Sequence, residues 1–579
     1  MFATQHTALE GLQLLDYAVI LVYLGGVLAA GWYFSREQEQ QEDYFVGGRR
    51  LPWFAVGLSI VATMLSTVTY LAAPGEVIQH GLALAIGWLA MPLAFMVVNF
   101  LWVPFFMRLG VTSIYEYLDD RFGLVARLTA VVLFVLILRL LWMATIVLTG
   151  SRAVAQITHE SVVRLLGVGW SLDEWLLVVL FSVGLFATLY TMLGGIKAVV
   201  WTDVAQFVAL SAGVVLTLFF VAWKTGTGPV DWWMTTTGNK GSGHELPPFA
   251  SWDITTRNTI LFTILNATFW YACTFIGDQV AVQRYLTTPS VKAAVRGNIV
   301  NFVADFLVMI LLALCGMALL TYYLDPAFQT EIAQGITDPR DERVADQVFT
   351  HFITYGLPVG VSGLVVAALF AVAMSSLDSG LNSVAAVLTI DVFERLSISV
   401  RGRRSRATTD GSTKNWGLTN SGTGRNLWVP RTITFVVGIG CTLLAWAMLS
   451  IPERYNIIGI TARTFNCALG PLAAMFVVGM FVRRAGHISV VIAAWLGLAM
   501  AISLAWWVEL NWMLGLTDYA TMAKATSNLA GPSPFLITPI ASTFTFVMAT
   551  LLSFVFPNSR AKDTEALLWR AVVNRQEHP

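Results

Sequence analysis

The chain has 579 residues, of which 56% are hydrophobic and only 12% charged, and its mean hydropathy of +0.68 lies far outside the usage of water-soluble domains. Basic and acidic residues balance at 35 each, so the formal net charge is zero and no nucleic-acid partner is expected. These values exclude a soluble enzyme or binding domain and leave a polytopic membrane protein.

A hydrocarbon core of about 30 Å takes roughly 20 residues of helix, and apolar runs of that length predict about thirteen spans. They lie near 14–34, 53–75, 82–107, 124–157, 174–194, 199–224, 257–283, 294–323, 352–385, 430–451, 456–482, 487–509 and 535–556. The first run is long enough to span and lacks a basic segment before it, so no cleavable signal is expected. Alternating sides along the list gathers Arg36, Arg49, Arg50, Arg108, Arg121, Lys197, Lys292, Arg483 and Arg484 on one face, with Arg401, Arg403, Arg404 and Arg406. The opposite loops hold few cations, among them Arg164, Lys240, Arg340, Arg343, Arg454 and Lys524. The positive-inside bias puts the N-terminus outside and the C-terminus in the cytoplasm of a multi-pass plasma (cytoplasmic) membrane protein. Cys273, Cys315, Cys441 and Cys467 all fall in apolar runs and read as small core residues, not as a disulfide framework. The basic loop 395–429 reads as a solvated linker, and the tail 557–579 as carrying a short surface helix.

Within the ninth run, Ala371-Val372-Ala373-Met374-Ser375-Ser376-Leu377-Asp378-Ser379-Gly380 sets three serines and a carboxylate into five residues of hydrocarbon. Such groups are costly to bury unless their oxygens coordinate something, and the stretch reads as an ion site. Arg139, in the middle of the fourth run, is a second expensive residue, at about 2.5–3.5 kcal/mol on insertion scales unless it is partnered. Asp16 reads as a boundary residue of the first span. No nucleophile-and-base pair stands at a spacing visible in the sequence, so no enzyme activity and no cofactor are expected.

Four motifs then carry a family resemblance. Tyr44-Phe45-Val46-Gly47-Gly48-Arg49-Arg50-Leu51-Pro52-Trp53 with Gly57-Leu58-Ser59, Gly194-Gly195-Ile196-Lys197 through Trp201-Thr202-Asp203, Gln279 through Gln283-Arg284, and Ser375-Ser376-Leu377-Asp378-Ser379 through Asn382 to Asp391 follow in one order over most of the chain. Together they resemble the sodium:solute symporter family, which includes the sodium/glucose cotransporters. The resemblance implies an all-α LeuT-type fold with 5+5 inverted repeats, one extra N-terminal and two extra C-terminal helices. The implied division is 1–52 for the extra helix and its loop, 53–224 and 257–482 for the repeats, 225–256 for an extracytoplasmic loop, and 483–579 for the last helices and tail. The first helix of each repeat should break, around Met64 to Thr67 and around Ala272 to Gly277.

The resemblance also implies sites. Sodium is the coupling ion, bound by the hydroxyls of Ser375 and Ser376 and the main-chain oxygens of Ala62, Leu65 and Val372. A second cation site would draw on Asp203, Ser375, Asp378 and Ser379, with two carboxylates close enough that one takes either sodium or a proton. The counterparts of sugar-binding positions are Thr69, Trp88, Tyr271 and Asp305, and a Trp where a carboxylate would accept a hydroxyl disfavours glucose or galactose. In a branch that carries sialic acid, an arginine at the depth of Arg139 holds the substrate carboxylate, which makes an organic anion the leading class of solute. Asp305 pairing with Arg139 or with Arg463 is the alternative that would cancel this charge. The expected function is import of a small solute with sodium across the lipid bilayer; the rivals are a proton-coupled or uniport carrier and a transport-inactive sensor.

Overall fold

The structure, a computed structural model, describes residues 11–36, 38–82, 87–238, 259–328, 336, 338–341, 344–395, 427–451, 457–516, 532–558 and 564–574. The basic cluster Arg401 to Arg406, most of the loop 395–429, and Lys240, Arg343, Arg454 and Lys524 lie outside the described residues. All the named elements are helices. Among the described residues, eleven are long and apolar enough to cross a membrane, and a further crossing is a pair bent by 59° at a short break.

One expected division between apolar runs is kept and another is shifted. The runs 174–194 and 199–224, which divide where the sequence reading ended the first, follow each other closely within Leu172–Thr225, whose 54 residues would rise about 81 Å as one helix, far more than one bilayer. Gly195 interrupts it with φ 55° and ψ −166°, and a Cβ there would sit 2.9 Å from the Tyr44 carbonyl, so the fold needs glycine at this reversal. The run 352–385 splits instead into Ala345–Tyr355 and a span Val361–Glu394, because Pro358 and Gly360, at φ 86°, stop the first helix.

Burial ranks the spans. Helix Leu14–Ser35 buries 22% of its apolar window and turns the rest outward, as a lipid-facing helix does, whereas Val361–Glu394 buries 83% and forms the centre. The two are joined by Asp16, which is only 1% exposed and accepts from the backbone amides of Gly360 and Gly363, each at 2.7 Å. A carboxylate at a helix N-terminus satisfies orphan amides and complements the helix dipole. Asp16 stands in the first turn of its helix, at the boundary of the span as expected, and from there it anchors the N-terminal end of the central helix. The four cysteines are buried and unbridged. The tail also does more than lie on a surface: Trp569 donates to the Leu101 carbonyl at 2.8 Å, Tyr117 to that of Leu567, and the buried Arg121 guanidinium binds Thr564 together with the carbonyls of Gly479, Val482 and Arg483.

Candidate functional site

Two helices break inside the bundle. Trp53–Met64 ends because Leu65 (ψ 104°) and Ser66 (ψ 163°) are extended, and the Ser66 hydroxyl then caps the next helix, Thr67–His80, by accepting from the Thr69 amide at 3.2 Å. The break lies inside the expected interval. Ile260–Gly277 stops at Asp278 (φ −97°, ψ 112°), one residue beyond the expected interval, and Asp278 caps Gln279–Leu286 through the Val280 amide at 2.9 Å.

A helix end leaves carbonyls without amide partners, and the first break aims several of them at the central helix. The Ser375 hydroxyl donates to the carbonyls of Ala62 at 2.8 Å and Val372 at 3.0 Å, and the Ser376 hydroxyl to those of Thr63 at 3.0 Å and Leu65 at 3.4 Å. Ala62, Leu65, Val372, Ser375 and Ser376 thus converge, and Thr63 adds an oxygen that the sequence reading omitted. All donors are neutral oxygens, the set a hard cation prefers over nitrogen or sulfur.

One turn along the central helix lies a charged cluster. The Asp203 carboxylate accepts from Ser59 at 2.5 Å, Thr63 at 3.4 Å and the Arg284 guanidinium at 3.2 Å, and both charged residues are wholly buried. Arg284 also binds the Ser59 hydroxyl at 2.9 Å and the hydroxyl of Ser379. Ser379 bonds Thr63 at 3.0 Å and donates to Asp378 at 3.1 Å, whose other oxygen takes the Tyr190 hydroxyl. Asp203, Asp378 and Ser379 are therefore contiguous, while Ser375 stays with the neutral oxygens above.

The residues read as solute-binding fall into separate groups. Arg139, in a π-helical stretch, is 4% exposed and forms a two-pronged ion pair with Asp278, with its Nε 3.1 Å from Asp278 Oδ1. Its guanidinium also lies 5.6 Å over the Phe465 ring, which touches Trp142 and Trp270. Tyr271, next to Trp270, donates to Asp305. Neither pairing that the sequence left open for Asp305 is formed, since Arg463 takes Glu509 at 3.1 Å. Thr69 bonds the Ser66 hydroxyl at 3.2 Å, and Trp88 opens the helix Trp88–Leu109, half-buried.

Comparison with known proteins decides the family. The model of the sodium:solute symporter family matches residues 44–409. The chain belongs to that family. The symporter is 30% identical over 537 residues to the sodium/sialic acid symporter SiaT of Proteus mirabilis, covering 90% of this chain and 96% of that one. It is 29% identical to the sodium/sialic acid symporter NanT of Aliivibrio fischeri, over 86% and 88% of the two chains. A solved structure of a substrate-bound, outward-open Na+-coupled sialic acid symporter, described as revealing a novel Na+ site, superposes with a TM-score of 0.70 at 26% identity over 94% of this chain and 98% of that one. The protein is thus a multi-pass, sodium-coupled symporter of a small organic solute, and not an enzyme.

Four residues of the symporter's charged chemistry carried little sequence signal. Arg284 stood in a family motif with no partner assigned, and only the fold brings it within reach of Asp203, 81 positions away. Tyr190 is one aromatic among many in its span. Ser59 stood mid-helix in a family motif with no partner assigned, and Asp278 is an ordinary helix-end residue until the second break orients it.

Proposed function

We propose that the symporter imports an acidic sugar of the sialic acid type with two sodium ions by alternating access. The observation that carries this reading is the buried Arg139, held by the Asp278 carboxylate at the second helix break and flanked by Phe465. A solute carboxylate entering beside Phe465 and Trp270 competes with Asp278 for the same bidentate guanidinium, which orients the sugar and loosens Gln279–Leu286 from Arg139. The likeness to sialic acid symporters supports this class of solute.

Sodium binds first among the oxygens of Ala62, Leu65, Val372, Ser375 and Ser376, replacing hydroxyl-to-carbonyl hydrogen bonds and tying the first broken helix to the central one. Each inward sodium contributes about 2.3 kcal/mol per 100 mV, enough to concentrate a neutral solute about fiftyfold. A monovalent anion cancels that contribution, so uptake from the potential requires a second cation, for which Asp203, Asp378 and Ser379 are the donors. Counting Leu172–Thr225 as two spans and the bent pair as one gives thirteen, arranged as repeats 53–224 and 257–482 with the N-terminus outside and the C-terminus in the cytoplasm. Lipid surrounds this bundle in the cytoplasmic membrane.

The test is uptake of labelled sialic acid, glucose and simple monocarboxylates into proteoliposomes in sodium and in choline. Sodium-dependent sialic acid uptake that disappears in the Arg139→Gln, Asp278→Asn double variant, which keeps the site neutral, is expected. Uptake that persists in choline would favour a uniport or proton-coupled carrier, and uptake of glucose without sialic acid would overturn the acidic-sugar reading.

A further inference from the structure

Helix Val291–Leu324 carries a polar stripe that neither the cation sites nor the Arg139 pair uses. Asn298, Asn301 and Asp305 recur at three- and four-residue spacing and therefore share one face, and their exposures are 0%, 1% and 1%. Their hydrogen bonding is incomplete. Neither polar atom of the Asn301 amide has a partner, nor does Asn298 Oδ1, Asp305 Oδ1 or the Thr274 hydroxyl on Ile260–Gly277. What is engaged is Asn298 Nδ2, 3.4 Å from Asn99 Oδ1, and Asp305, which accepts from Tyr271. Asn99 sits in a π-helical turn, Val98–Trp102, a local distortion frequent at functional sites.

Native proteins leave few buried polar groups unpaired, and the penalty is larger where hydrocarbon surrounds the bundle. Several orphans on one face are the condition of a surface that exchanges hydrogen bonds with a passing solute. From Asp305 the stripe runs toward Lys292, about 10 Å over seven residues. Beyond Asn298 it is shut: the half-helix Trp53–Met64 crosses so closely that a Cβ on Gly57 would stand 2.4 Å from the Gly297 carbonyl. Opening that end requires the two helices to part.

We propose that Asn301, Asn298, Asn99 and Thr274, continuing from Asp305, form the track along which a polyhydroxylated solute leaves toward the Lys292 face. The proposal rests on the transport reading above for a polyhydroxylated solute, but not on that solute's being acidic. Amides supply donors and acceptors together, so they accompany hydroxyl and acetamido groups in any rotation, and they carry no charge that would trap an anion beside Asp305.

Two variants of the full chain in proteoliposomes test it. Asn301→Leu, of similar size and without polar atoms, should lower the maximal velocity of sodium-driven sialic acid uptake at least tenfold. It should shift the external sodium dependence less than twofold, and hold or raise the thermal midpoint because an unpaired amide is gone. Unchanged velocity would mean that the amide is only structural and would overturn the track. Asn301→Cys decides the case without any solute. A membrane-impermeant thiol reagent applied from the Lys292 side in choline should label it above the parent protein, whose four cysteines are buried. No labelling from that side would sink the proposal. Labelling in a protein that takes up no sialic acid would refute the acidic-sugar reading alone and leave the track standing.

Discussion

The two oxygen clusters on the central helix are one turn apart and electrically unlike. Around Ser375 and Ser376 every oxygen is neutral, so the cation proposed there would be held by dipoles that grip it without a counter-charge and let it go. Around Asp203 and Asp378, two carboxylates face one guanidinium, and burial without a further cation or proton leaves a negative charge in the bundle. The neutral cluster is suited to reversible cation binding, and the charged one to making a second positive charge a condition of the closed bundle. Thr63 joins them: its carbonyl receives Ser376, and its hydroxyl meets Ser379 and Asp203.

The strongest way to break this contrast is Arg284→Gln. It strips the only guanidinium from the described charged cluster, and removing one partner of a buried ion pair costs about 3–5 kcal/mol. A large fall in the thermal midpoint in choline, partly restored by sodium, is expected; an unshifted midpoint would show that the cluster is not charged as drawn. Asp378→Asn acts on the other side of the balance. It keeps the side-chain volume and an acceptor for Tyr190 while removing the extra negative charge, so the Hill coefficient for sodium in uptake should fall toward one with the protein still folded. A coefficient unchanged from the parent would argue against Asp378 in a second cation site. The smallest effect belongs to Thr63→Val, which removes the bridging hydroxyl and preserves shape. Losing a hydrogen bond worth about 1 kcal/mol should weaken the coupling between sodium and solute by roughly fivefold, read as the change in solute affinity between low and high sodium.

The contrast also explains what the sequence could and could not disclose. A fold of long apolar helices is legible because lipid demands unbroken hydrophobic runs, and the serines of the ninth run are legible because they are anomalous there. The break at Gly195 falls between the two apolar runs 174–194 and 199–224 and was legible, whereas the stop at Pro358–Gly360 depends on single residues inside apolar text, so run length placed that boundary poorly. Proposed main-chain ligands such as Leu65 carry no side-chain signal and came only through the family resemblance. Partnerships across the fold were invisible: Asp16 with Gly360 and Gly363, Arg284 with Asp203, and Arg139 with Asp278 are 139 positions apart in the last case alone. Arg139 was conspicuous by its cost in the membrane, but what meets that cost is decided by where the second helix breaks.

The most direct test is the sodium binding isotherm of the purified protein without solute, followed by thermal stabilisation as choline is replaced by sodium, for the parent and for Ser376→Ala. Hydrogen-bonding or coordinating contacts to a charged group contribute about 1.5–3 kcal/mol, so the variant should fold normally and need at least about tenfold more sodium for half its stabilisation. A variant that folds and binds sodium with the parent's midpoint would contradict the placement of the coupling ion between the first broken helix and Ser375 and Ser376.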